Sequence, residues 1–315
     1  PDWVWLKNRT DNSTNHYLQD TVRGFGNSKS LTSNATGTEG YNGGAPSSHN
    51  IVTTSTSIRF VSSDFATNSK NFVAWTWKAG GSASSNSNGS ITSSVSANQD
   101  AGFSIVSYTG TGSNGTIGHG LSSPPEMIII KARTRDENWL VYHKFDGGTD
   151  GRSFLNLNLD NNSKFDNGPG SYFQDTPPTS SVFHQNNSSY NQNTDTYIAY
   201  CFHSVDGYSK VGSYVGNGSA AGTFVYTGLR PAFVLLRVTT TGNAWFIYDN
   251  KREGYNELND TLSPNYAAGE DSTYKLDLLS NGFKIRSSQN AHNQSGQTFL
   301  YLAFAEAPLK FANAR

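Results

Sequence analysis

The chain of 315 residues carries 23 Lys and Arg against 24 Asp and Glu, for a formal net charge of −1, and it has one Cys. That balance provides no basic field for a polyanion and no polybasic patch for a membrane surface, so no nucleic acid partner is expected; one Cys also excludes intrachain disulfides and thiolate metal cages. Aromatic residues reach 13% and charged residues only 15%, with 31 Gly in a background rich in Ser, Thr and Asn, a composition of pleated, half-buried strands and many turns.

In chain order, Pro1-Asp2-Trp3-Val4-Trp5-Leu6-Lys7 comes first: a Pro, five mostly apolar residues and a basic stop. A run apolar on both faces predicts a central strand covered on two sides, with Pro tolerated at its first position. His16-Tyr17-Leu18-Gln19-Asp20 follows polar turn residues and predicts the hairpin partner. In Phe72-Val73-Ala74-Trp75-Thr76-Trp77 the period of two puts Val73, Trp75 and Trp77 on one bulky, core-facing side. Gly80 to Gly102, with its Ser82–Ser90 run, has the composition of a flexible linker.

The same signals then return twice. A strand over Phe103–Gly110 leads into Pro125-Glu126-Met127-Ile128-Ile129-Ile130-Lys131, then Trp139–His143 and Tyr197–Phe202. A strand over Ser209–Gly216 leads into Pro231-Ala232-Phe233-Val234-Leu235-Leu236-Arg237, then Trp245–Asp249 and Phe299–Phe304. From opening Pro to last aromatic the separations are 76, 77 and 73 residues. The prediction is an all-β chain of three tandem repeats of an antiparallel β-sandwich-like unit with almost no helix, because no apolar residues recur at helical spacing over three turns. The units are residues 1–81, 103–207 and 208–308, with a polar linker at 82–102 and a tail at 309–315. Thr76, Cys201 and Ala303 share one matched position opposite the bulky face, so Cys201 is expected to be a small packing residue and not a reactive thiol.

Unit one has no lead-in strand. Its open edge is expected to be filled by upstream sequence, by the C-terminal tail or by a neighbouring subunit, since an unpaired edge is an aggregation hazard. Lys310-Phe311 falls where Lys210-Val211 begins the lead-in of unit three, and a homo-oligomer, with a trimer favoured, is expected with Trp3 and Trp5 near a subunit or domain boundary.

No residue set stands out as a catalytic, cofactor-binding or metal site, and no ligand-binding residues can be named from the sequence. Gly110-Thr111-Gly112-Ser113-Asn114-Gly115 has dinucleotide-fingerprint spacing, but Thr116-Ile117-Gly118 cannot open the helix such a site needs. Asp160, Asn161, Asn162, Asp166 and Asn167 supply oxygens for a Ca²⁺ loop, yet Lys164 interrupts the ligand ladder and the closing Glu is absent. The seven His are scattered, and His143 aligns with Asp20 and Asp249 as a turn or surface position. Glu126, Asp136, Glu137, Asp206, Glu253 and Glu306 are hydrolase carboxylates by type alone, none recurring in all three units. No apolar run approaches the ~20 residues of a membrane helix.

Three runs carry a family resemblance: Trp75-Thr76-Trp77-Lys78-Ala79-Gly80-Gly81, Ile198-Ala199-Tyr200-Cys201-Phe202-His203-Ser204-Val205-Asp206-Gly207-Tyr208, and Leu302-Ala303-Phe304-Ala305-Glu306-Ala307-Pro308-Leu309-Lys310-Phe311 with the residues after it. Together they resemble a domain of uncharacterised function in virion proteins of marine tailed phages, including cyanophages, often at the C-terminus of tail-fibre-like chains. The resemblance implies a non-enzymatic structural protein of the virion, extracellular, in a tail fibre or appendage. It would contact other virion proteins and copies of itself, and touch host-surface glycan. It carries no catalytic or ligand residues. Capsid decoration and a polysaccharide depolymerase are the rival expectations.

Overall fold

The computed structural model describes residues 1–40, 51–54, 57–61, 69–146, 153–160, 165–166 (backbone), 171–187, 189–239 and 242–306. Strand accounts for 43% of residues and helix for 1%, one short turn at Asn290–Asn293, so the all-β expectation holds. Every named strand pair is antiparallel.

Three inner sheets make the frame. In each, an opening strand lies between a second strand and a closing strand: Trp3–Asn8 between Tyr17–Asp20 and Phe72–Trp77, Met127–Ala132 between Leu140–His143 and Thr196–Phe202, and Pro231–Val238 between Phe246–Asp249 and Thr298–Ala305. The registers correspond. Trp3 sits opposite Trp77 and Asp20, Met127 opposite Phe202 and His143, and Phe233 opposite Phe304 and Asp249. As expected of runs apolar on both faces, Trp3–Asn8 and Met127–Ala132 are buried throughout, as is all of Pro231–Val238 except Ala232. Lead-in strands Phe103–Thr109 and Ser209–Val215 pair with the second and third closing strands. Among the described residues no strand pairs with the outer edge of Phe72–Trp77.

The bulky faces meet in one shared core. Trp3, Trp5, Trp75 and Trp77 from the first sheet, Met127, Ile129, Tyr200 and Phe202 from the second, and Phe233, Leu235, Leu302 and Phe304 from the third belong to one buried cluster. Rings touch across every pair of sheets: Trp3 stacks on Tyr200 at 4.4 Å, Trp77 meets Phe233 edge-on at 5.4 Å, and Phe202 meets Phe304 at 6.1 Å. Alternation sends the opposite faces into three separate outer clusters. These are capped by the outer pairs Gly115–Gly118 with Val182–Gln185 and Ile51–Thr53 with Ile58–Phe60, and by the three-stranded Phe224–Tyr226, Gly282–Ile285, Leu276–Leu279. Cys201 lies fully buried in the second outer cluster opposite Ser104, and burial pushes its thiol well up, as expected of a packing residue.

Residues 82–102, expected to be a flexible linker, differ. Ser84–Asn86 and Ser93–Asn98 are strands that extend the second sheet beyond Phe103–Thr109. Ser93 and Ser96 are buried, and their hydroxyls donate to the carbonyls of Gly118 and Gly81, both at 2.7 Å. Small side chains that satisfy themselves on nearby backbone let a linker-like composition pair as a sheet. The tail at 309–315 lies outside the described residues.

Candidate functional site

The side chains that join the sheets come in matched sets. Near one end of each opening strand sits the basic residue expected to be a strand stop; each strand runs one residue past it, to Asn8, Ala132 and Val238, and Lys7, Lys131 and Arg237 are buried. The Nζ of Lys131 donates to Thr36 O at 2.9 Å and Ala132 O at 2.8 Å. Arg237 Nη1 donates to Leu159 O, and Lys7 Nζ donates to Asn8 O, Thr14 O and Ala267 O. Each cation therefore reaches a carbonyl from the neighbourhood of the next sheet, the second to the first, the third to the second, the first to the third. Burial lowers both lysines to about 8 and Arg237 to about 10.

One position ahead of each second strand, the same circuit repeats. Trp139 Nε1 donates to Thr32 O at 2.8 Å and Trp245 Nε1 to Asn156 O at 2.9 Å. His16 holds the matching place in the first sheet. Its Nδ1 accepts from Trp5 Nε1 at 3.0 Å, and its Nε2 is turned toward the Ser263 backbone without closing a regular hydrogen bond.

At the other end of the second strands the circuit runs the opposite way. Asp20 accepts from Arg23 Nε at 2.6 Å, from the Val22 and Arg23 amides, and from the Tyr200 hydroxyl of the second sheet at 2.8 Å. Asp249 accepts from Arg252 Nε at 2.6 Å, from the Lys251 and Arg252 amides, and from Trp75 Nε1 of the first sheet at 3.0 Å. The third corner lacks a side-chain donor, since Leu302 occupies the place of Tyr200 and Trp75, and His143 stands there in place of the aspartate. Its Nδ1 accepts from the Phe145 amide, and its Nε2 lies 3.3 Å from Tyr301 O. His143 is thus the last residue of a strand and is buried, so the expectation of a turn or surface position is corrected; burial lowers it to about 4.

Three clefts open at corresponding places, where each opening strand begins. One of about 840 Å³ is lined by Pro1, Asp2, Thr21 and Lys78 with residues 97–100, one of about 520 Å³ by Pro125, Glu126, Tyr142, Lys144, His203 and Ser204 with Pro124, Pro177 and Pro178, and one of about 70 Å³ by Pro231, Asn250 and Tyr255. The middle cleft has the most developed chemistry. Glu126 accepts from Lys144 Nζ at 3.0 Å and from both the amide and the hydroxyl of Ser204. Burial pushes the Glu126 carboxyl up, but the Ser204 and Lys144 hydrogen bonds outweigh it and hold the group below the usual carboxylate range. Proline rings and Tyr142 form the walls; outside that lining, Phe145 is 39% exposed, with its ring centroid 5.6 Å from the Lys144 ammonium.

The remaining candidates are dispersed. The Gly110 loop is a turn: Gly110 and Gly112 donate to Asp195 O and Asn191 O, and Gly216 and Gly218 donate in the same way to Gln297 O and Asn293 O. Glu306 accepts from Asn250 and Arg230, Glu253 from the Asn259 amide, and Glu137 faces Arg135. Of the Ca²⁺-loop residues, only the side chain of Asp160 is described, and it accepts from the Tyr266 hydroxyl. Among the described residues no three His, Cys, Asp or Glu gather as metal ligands. The inter-sheet aspartate corners went unnoticed in the sequence, although Asp-x-x-Arg at 20–23 and 249–252 is a recurring signal.

Residues 1–308 match the model of the domain of unknown function DUF7483, and the chain belongs to that family. No curated protein and no solved structure matches it.

Proposed function

We propose that this protein is a non-enzymatic structural and adhesion module built from three copies of one unit. The resemblance described above makes its setting the virion of a tailed phage, in a fibre or appendage outside the cell. The matched registers and the matched inter-sheet contacts support the repeat. One shared core tied at three corners is suited to holding a surface rigidly, which is what a displayed module needs.

The observation that carries the adhesive part is the Glu126–Lys144 cleft, together with the exposed Phe145 ring that lies outside its lining but 5.6 Å from the Lys144 ammonium. An aromatic face beside fixed, hydrogen-bonding polar groups is the chemistry that takes up a sugar, with apolar C–H faces on the ring and hydroxyls on the charged pair. The ligand class is host-surface glycan. The test is adsorption of labelled protein to host cells and to their isolated envelope polysaccharide. Saturable binding without release of reducing sugar is expected, at least tenfold weaker for Phe145→Ala and Lys144→Ala at unchanged melting temperature. Binding equal to wild type in both variants, or turnover of the polysaccharide, would overturn the reading. Electron microscopy of intact particles labelled against the protein should place it on a fibre or appendage, and label on the capsid face would favour a decoration role.

A further inference from the structure

The small three-stranded sheet over the third outer cluster turns one face inward and the other toward solvent. Phe224–Tyr226 pairs with Gly282–Ile285, which pairs in turn with Leu276–Leu279. Val225, Phe283, Ile285, Leu276 and Leu278 belong to the buried cluster. Alternation sends their neighbours outward, so Phe224, Lys284 and Asp277 stand in one cross-strand row and Tyr226, Gly282 and Leu279 in the next. Phe224 is 45% exposed and Tyr226 67%. We infer that this outward face is a binding site for an acidic polysaccharide, with sugar rings lying on Tyr226 and Phe224 and a carboxylate of the polysaccharide on Lys284. The site shares no residue with the Glu126 cleft, and it goes beyond the reading of that cleft without depending on it.

The corresponding outer strand of the second sheet shows that the fold does not require the rings. There Ile117, opposite Phe183, takes the inward place that Val225 takes opposite Phe283. The outward places beside Ile117 hold Thr116 and Gly118, and the chain covers them itself. A Cβ on Gly118 would lie 2.2 Å from Asn86 Oδ1, and the Ser90 hydroxyl accepts from the Thr116 amide at 2.9 Å. A pair of exposed rings, at positions where Thr and Gly serve the same strand, marks an interaction surface.

The surroundings of the rings select the ligand. Side chains two residues apart on one strand face have their bases about 6.6 Å apart, and Gly282 beside Tyr226 leaves a floor without a side chain. Charged groups continue from the rings. Lys284 is directly opposite Phe224 and Asp277 opposite Lys284; Arg286 lies 3.5 Å from both Asp277 and Glu257, and Lys275 lies 3.1 Å from Glu257. Both carboxylates are thus engaged by Arg286 and Lys275, which places the positive excess at Lys284, next to the rings. The centre of a protein interface is depleted of charge, whereas a sugar presents apolar C–H faces to rings and hydroxyls to charged groups at once. A carboxylate on that sugar gains a charge-assisted hydrogen bond from Lys284.

The test is equilibrium binding of the full chain to polygalacturonate oligomers, with neutral dextran oligomers of the same length for comparison. Saturable binding of the polyuronate is expected, at least tenfold tighter than dextran and weakened by added salt. Phe224→Ala combined with Tyr226→Ala should lower affinity at least tenfold, and Lys284→Gln should lower it several-fold with a shallower salt dependence, both at unchanged melting temperature. Phe224→Tyr, which keeps the ring, should bind as the unaltered chain does. Phe145→Ala should also bind the polyuronate normally, so a failure at the Glu126 cleft and a failure here are read separately. No binding of polyuronate, equal affinity for dextran, or binding that survives the double variant would overturn the proposal. So would a dimer of the unaltered chain in sedimentation that the double variant dissociates, since the rings would then cover a second copy.

Discussion

Replacing Asp20 with Ala tests the inter-sheet corners where the consequence is largest. The carboxylate accepts from Arg23 Nε, from two backbone amides and from the Tyr200 hydroxyl of the second sheet, and the side chains of both Arg23 and Asp20 are fully buried. Removing it leaves a buried guanidinium whose nearest remaining carboxylate, Glu39, is 3.8 Å away. Stranding one partner of a buried ion pair costs about 3–5 kcal/mol. Asp249→Ala should cost less, because Arg252 retains Glu270 at 3.1 Å. Urea unfolding followed by tryptophan fluorescence measures both. Tyr200→Phe completes a double-mutant cycle, with a coupling to Asp20 of about 1.5–3 kcal/mol expected for a hydrogen bond to a charged group. A loss below about 1 kcal/mol for Asp20→Ala, or no coupling to Tyr200, would refute the corner as a structural tie.

Three further outcomes follow from the same interior. Burial depresses His16, brings His119 and His143 to about 4 and brings His292 to about 3. The unfolded chain therefore binds protons that the folded one refuses, and stability should fall as pH drops from about 6.5 to 4, by about 3 kcal/mol for a group such as His143; a pH-independent melting temperature over that range would contradict it. Lys7 and Lys131, held by burial at about 8, well below the usual lysine range, act in the same direction, so stability should rise between pH 8 and 9.5. Lys131→Met with Lys7→Met should flatten that rise, and an equal slope in the double variant would assign it elsewhere. Gly110→Ala would put a Cβ 2.2 Å from Gln192 O, against backbone that must shift. It should lower stability by about 1–3 kcal/mol in thermal melts, and a neutral result would show that the loop yields.

The strands that form the frame are legible in the sequence because each carries a Pro followed by a run apolar on both faces, a pattern few local structures other than a doubly covered strand can use. The shared core is only half legible. Alternation identifies Trp75, Tyr200 and Leu302 as inward, but it does not say that the three faces turn toward one another. That depends on contacts between residues more than a hundred positions apart, such as Trp3 with Tyr200. Lys7 and Lys131 read from the sequence only as basic strand stops, since nothing local shows the carbonyls of Ala267 and Thr36 waiting for them. Ser84–Asn86 and Ser93–Asn98 look like linker because their hydroxyl partners, Gly118 O and Gly81 O, become neighbours only in the folded sheet. The Glu126 cleft is hidden for a similar reason. Glu126, Lys144 and Ser204 are ordinary surface residue types, and only the meeting of three strand ends brings them together.

The central claim is that three sheets share one core and form a single body. Differential scanning calorimetry tests it most directly, with the van't Hoff enthalpy compared with the calorimetric enthalpy. The prediction is one transition with the two enthalpies equal, because Trp3, Tyr200, Phe233 and Phe304 cannot be exposed in one sheet without opening the core of the others. Two or three separable transitions, or a van't Hoff enthalpy near one third of the calorimetric value, would show that the sheets unfold independently and would contradict the account.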